Sequence, residues 1–244
     1  MSSTNSRPLE QIRARVTKTL TDGIQLNMST EESKKFLRRH VSSKTNLVVG
    51  IADINNSTQM SLSLPDNKFA SMIQAFAQET SIAVSGYGGY VFKYEGDAVI
   101  FLFPAEYDQV KACENSLSCS ATIQQIIKEV INCAFRASGL PKVTVRIGLD
   151  YGNTLVMLYG KSLEKAHLDI IGSSISMAAK IAAIAQPNQI LIGESIYNIL
   201  VSESHENFFR HNRFVRLKLH TRNWNYYSHF DLDRIYGVYE YLQK

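Results

Sequence analysis

The 244-residue sequence has no apolar run approaching the roughly 18 residues needed to cross a bilayer. Its opening stretch, MSSTNSRPLEQIRARV, lacks the apolar segment of a secretory signal, so a cytoplasmic setting without a membrane span is expected. Cysteine is scarce. Cys113, Cys119 and Cys133 are odd in number, carry no metal-ligand spacing and all fall in a stretch with helical character, so buried reduced thiols are expected rather than disulfides or ligands. No internal repeat, low-complexity tract or separate sensor domain can be read. What is present, at 45% hydrophobic residues, is ample material for one sizeable core with an appended segment.

The net charge of +4 is unevenly spread: residues 1–45 hold nine Lys or Arg against four Asp or Glu, or +5, which leaves −1 for the remainder. Leu9, Ile12, Val16 and Leu20 recur at spacings of three and four, predicting an amphipathic helix that ends near Gly23. Ser29 and Glu32 have the spacing of a capping box opening a second helix through Phe36 and Leu37. Residues 1–45 are therefore expected to form a basic helical arm that packs on the main domain, residues 46–244, or on a second copy of the chain. Nucleic acid is not an expected partner.

From Leu47 the pattern reads strand, helix, strand, strand, helix, strand, strand, helix, strand, helix and two late strands. The leading βαββαβ order predicts an α+β, ferredoxin-like sheet with helices on one face. Within it, VFKYEGDAVIF (91–101) is a buried hairpin carrying Lys93, Glu95 and Asp97 at its bend. A Gly-Asp turn is by itself an ordinary hairpin tip. The run LVVGI, however, ends in ADINNST, so Asp53 can stand at a strand end of the same sheet. Two carboxylates converging there suit a hard cation such as magnesium, with water and phosphate oxygens completing its shell.

Four segments in order resemble the class III nucleotide cyclase domain of adenylate and guanylate cyclases: VVGIADINNST, GGYVFKYEGDAVIFLFP, VRIGLDYGNTLVMLYG and LDIIGSSISMAAKIAAIAQPNQILIGESIY. The resemblance spans about 47–200 and leaves out the arm. It implies that Asp53, Asp97 and the carbonyl of Ile54 bind two Mg2+ or Mn2+ ions. The following turn, with Asn56, Ser57 and Thr58, would meet the phosphates, although the family usually has Gly and Phe at positions 56 and 57. Lys93 and Asp169 match the base-selecting pair; a lysine donor and a carboxylate acceptor complement the N1 and N6 edge of adenine, so ATP is the expected substrate.

Where the family has Asn and Arg, this chain has Ser176 and Lys180, still four residues apart on one helix face. A lysine is a point charge where arginine is a fixed fork, and losing such a donor can cost roughly 100- to 1,000-fold in rate. Lys218 resembles a triphosphate-facing lysine, with Leu219 replacing the usual following Gly. The resemblance further implies a homodimer whose metal residues come from one chain and whose base and transition-state residues come from the other. The expected activity is formation of 3′,5′-cyclic AMP and pyrophosphate. Alternatives are a nucleotide-binding regulatory module with weak or no turnover, and a cyclase acting on another nucleoside triphosphate, guanylate or pyrimidine. The polar stretch at 220–234, HTRNWNYYSHFDLDR, has no counterpart in the resemblance, and its aromatic residues are expected against the core.

Overall fold

The computed structural model describes residues 6–24, 28–162, 166–203, 206–218 and 236–243. The stretch at 220–234 and Leu219 lie outside them. In chain order the arm forms α1 (Ser6–Asp22) and α2 (Glu31–Arg38). The strand β1 (Lys44–Ile54) is followed by α3 (Ser57–Ser63), α4 (Asp66–Gly86) and the hairpin β2 (Tyr90–Glu95) and β3 (Ala98–Pro104). Next come α5 (Gln109–Ile126), a π-helical turn at Ile127–Ile131, α6 (Asn132–Ala137), β4 (Val145–Tyr159) and β5 (His167–Ile171). The chain continues through α7 (Ser173–Ile184), β6 (Ile190–Gly193), α8 (Glu194–Glu203), α9 (Glu206–His211), β7 (Asn212–Arg216) and β8 (Val238–Gln243).

β1 reads as a nearly unbroken apolar run because both its faces are covered. Val48, Ala52 and Ile54 enter the core under α4 and α5, while Leu47, Val49 and Ile51 enter a second core beneath α2 and α7. The sheet runs β2-β3-β1-β4-β6-β8-β7, with β5 paired to β4. Strands β1 to β4 with α4 and α5 therefore form the expected βαββαβ unit. Helices occupy both faces rather than one: the two crossover helices share a face, and α2 and α7 cover the other. Had that second face been left bare, the alternate apolar residues of β1 and β3 would stand in water.

Gly148 sets how closely α7 lies on the sheet, since a Cβ there would collide with the backbone of Ala178 and Ala182. The glycine-rich middle segment, which the sequence pattern splits into two strands, is one continuous strand. Residues 145–155 pair with β1, 147–149 also with β6 and 155–159 with β5, so Gly152 and Asn153 extend the ladder instead of turning it. β5 itself is a strand that the sequence pattern does not predict.

The arm is fastened to the domain by polar as well as apolar contacts. Arg15 donates from Nε and Nη2 to the two carboxylate oxygens of Glu79 at 3.1 and 2.7 Å, and the Glu79 side chain is 1% exposed. Gln78 donates to the hydroxyl of buried Thr19. Hydrogen bonding to the Glu79 carboxylate holds the Arg15 guanidinium above its ordinary pKa. At the second helix Ser29 Oγ accepts from the amide of Glu31, whereas Glu32 pairs with Lys35, so the capping box is not formed. Cys113 and Cys119 are buried in α5, where burial pushes the thiols up, that of Cys119 to about 12; Cys133 is half-buried.

Candidate active site

The register of the central strands assembles the acidic site. Asp53 stands opposite Ala98 on β3, immediately after the hairpin bend, and opposite Arg146 on β4. The bend turns through Gly96 at φ +61°, and Asp97 follows it. Asp53 and Asp97 thereby converge from adjacent strands. Burial raises the pKa of the Asp53 carboxyl, the hydrogen bond and positive charge of Arg146 oppose that rise, and the nearby Asp97 charge adds to it. Arg146 donates from Nε to Oδ2 at 2.7 Å, and its Nη2 lies 2.6 Å from the same oxygen in an ion pair. Its Nη1 reaches the carbonyl of Ala183 on α7 at 3.5 Å.

Asp53, Asp97 and Arg146 line a cleft of about 560 Å³ together with Asn56, Ser57 and Thr58. The turn is sharp because Asn56 sits in the left-handed region at φ 59°, ψ 24°, which asparagine tolerates, and α3 begins at the next residue. The Ile54 side chain is buried in the core, leaving only its peptide at the cleft. The donors gathered here are all oxygen, which fits a hard divalent cation. Among the described residues no group of three His, Cys, Asp or Glu comes together, so water and phosphate oxygens would have to complete the shell of any ion held by Asp53, Asp97 and Ile54.

A second cleft, of about 460 Å³, lies between α2, β2 and β5. Lys93 lines it from β2. The register of β2 on β3 shifts between Val91 and Lys93, a β-bulge that brings Phe92 and Lys93 together along the cleft. His167 faces it from β5, and its Nε2 lies 3.8 Å from Oδ2 of Asp169. Asp169 is not itself among the residues lining this cleft; it accepts from the amide of Ile170 and pairs with Met157 across the ladder.

The remaining predicted residues join neither cleft of this chain. Ser176 and Lys180 share the exposed face of α7, opposite buried Ser174, Met177, Ala178 and Ile181. Lys218 is exposed just beyond β7. Two participants escaped the sequence reading. Arg146 sits in an otherwise apolar strand, VTVRIGLD, where a lone cation is itself a signal; its partner emerges only from the strand pairing. His167 was hidden because β5 was not recognised. A further group, Asp150, is buried at 2% exposure and accepts from the hydroxyl of Tyr236 at 2.7 Å, which also meets Ser195 Oγ at 2.8 Å. Burial pushes the Asp150 carboxyl up to about 7, against the opposing hydrogen bond from Tyr236.

Residues 40–227 match the model of the adenylate and guanylate cyclase catalytic domain. A cytidylate cyclase of Staphylococcus aureus is 26% identical over 151 residues, which cover 61% of this chain and 36% of that protein. Adenylate cyclase 1 of Rhizobium meliloti is 24% identical over 129 residues, covering 53% of this chain and 19% of its own. The chain thus matches well under half the length of either relative. Among solved structures, the adenylyl cyclase CyaB from P. aeruginosa superposes with a TM-score of 0.68 at 20% identity, covering 83% of this chain and 96% of that one. Among the described residues no helix is long and apolar enough to cross a membrane.

Proposed function

The chain belongs to the adenylate and guanylate cyclase catalytic domain family, and on that footing we infer that it is a homodimeric adenylate cyclase converting ATP to 3′,5′-cyclic AMP and pyrophosphate. The observation that carries this reading is the convergence of Asp53 and Asp97 on a cleft walled by Ser57 and Thr58. A scaffold with no ligand to hold has no use for two carboxylates that raise each other's cost of ionisation. When bound, Mg2+ or Mn2+ would supply positive charge for the attacking and leaving oxygens. Asp53, Asp97 and the Ile54 carbonyl would hold the ions. Asn56, Ser57 and Thr58 orient the triphosphate with backbone and side-chain donors. Lys93 donates to the adenine ring and Asp169 accepts from its amino group.

The division of the predicted residues among separate places supports a two-chain site. Ser176 and Lys180 project outward on α7, away from the acidic cleft of their own chain, where a second copy can receive them. In that arrangement Lys180 carries the positive charge for the transferring phosphoryl group, Ser176 meets a ribose oxygen and Lys218 meets the triphosphate. An isolated chain would be inactive.

A second reading, a nucleotide-binding module with little turnover, is favoured by the replacements at Ser176 and Lys180. The similarity to a cytidylate cyclase keeps a pyrimidine substrate in the comparison as well. One experiment separates all three. Purified protein is incubated with ATP, GTP, CTP or UTP and Mg2+ or Mn2+, and the products are identified by mass spectrometry. Cyclic AMP as the main product is the expected result. A cyclic pyrimidine nucleotide would replace the substrate assignment, and nucleotide binding without any cyclic product would leave the module reading.

A further inference from the structure

The helix α2 lies outside the βαββαβ unit, yet it forms one side of the cleft that holds Lys93. Phe36 and Leu37 fix it there, 4% and 0% exposed, against the second core. Thr30, Lys34 and Leu37 follow one another at spacings of four and three, so they form a single stripe along the edge of the helix facing the cleft. Across from that stripe stand Phe92 and Leu168, with Lys93 and His167 beside them. Apolar walls bearing ammonium donors at the rim suit a flat heteroaromatic ring that presents acceptor atoms; phosphate oxygens would meet hydrocarbon on two sides. Lys34 lines the cleft but is held by Glu31, whose carboxylate accepts from its Nζ at 2.7 Å and competes with any ligand for it, while the lysine side chain remains 45% exposed.

We propose that α2 is part of the nucleobase-binding wall, with Lys34 a second donor to the base beside Lys93 and Thr30 closing the edge of the slot. Base selectivity is then set jointly by the arm and the sheet. The inference rests on the reading above that Lys93 meets the base. It assigns a recognition role to a segment that the composition marks only as basic.

The test uses the full chain and equilibrium binding of ATP, GTP, CTP and UTP with Mn2+, alongside product formation. Lys34→Ala should weaken the best-bound nucleotide about tenfold, the loss of one charge-assisted hydrogen bond at a half-exposed position. It should also narrow that nucleotide's advantage over the others. Glu31→Gln releases the lysine from its competing partner and should strengthen binding, an opposite sign that a purely structural role does not produce. Tripolyphosphate should bind both variants as it binds the wild type. Unchanged nucleotide affinities and ranking in both variants overturn the proposal, as does an equal loss for tripolyphosphate in Lys34→Ala, which would make the lysine a phosphate contact. Selective binding by the wild type without cyclic product overturns the cyclase reading alone. No binding of any nucleotide overturns both.

Discussion

Arg146 and Asp53 face each other across β4 and β1, and the arginine donates from Nε and sets Nη2 in ion-pair contact with a single carboxylate oxygen, Oδ2. The same carboxylate is a proposed cation ligand, so a cation and the guanidinium compete for it. Breaking a charge-assisted hydrogen bond costs about 1.5–3 kcal/mol, so Arg146→Ala should bind Mn2+ at least roughly tenfold more tightly at pH 7.5 without nucleotide. Calorimetric titration measures this. Weaker binding in the variant would mean that the arginine serves instead to hold Asp53 in its liganding position.

The separation of Lys93 from the acidic cleft leads to a complementation experiment. Asp97→Ala and Lys93→Ala should each abolish cyclic nucleotide formation while the chains remain folded. Mixed together, they should recover about half of wild-type activity per heterodimer, because one of its two sites collects only intact residues. Continued inactivity of demonstrated heterodimers would place Lys93 and Asp97 in one chain's site.

The ion pair joining α1 to α4 is expected to be costly to break from one side only. Arg15→Ala leaves the Glu79 carboxylate buried without its cation, and urea unfolding should show a loss of about 3 kcal/mol. Arg15→Met combined with Glu79→Leu should recover most of that loss, since no charge is then left in the interface. Equal destabilisation in the single and double variants would show that packing of the helix, not the charge, is what matters.

Asp150 is expected to make stability depend on pH. Its folded-state carboxyl keeps a proton up to about 7, whereas the unfolded chain releases it in the usual carboxylate range. Its stabilising contribution is therefore full below about 4 and is lost as pH rises through 7. Asp150→Asn keeps an acceptor for the Tyr236 hydroxyl and removes the ionisation. Denaturation midpoints between pH 5 and pH 8 should fall less in the variant than in the wild type. Parallel pH profiles would show that the carboxyl titrates normally.

The sequence by itself determined the βαββαβ unit, the arm helix ending at Gly23 and the position of Asp53 and Asp97 at strand ends. Each follows from local pattern: apolar alternation, turn chemistry and two carboxylates at strand ends. Tertiary structure alone decided that Arg146 grips Asp53, that a bulge directs Lys93 into a cleft under α2 and that β4 runs unbroken past Gly152. It also joined Asp150 to Tyr236, 86 positions apart. Periodicity reports which face of an element is buried, but a partner across a sheet is set by register, and register depends on how distant strands pack. The helices on the second face were hidden for the same reason: a strand buried on both sides shows only a continuous apolar run, which does not say what covers it.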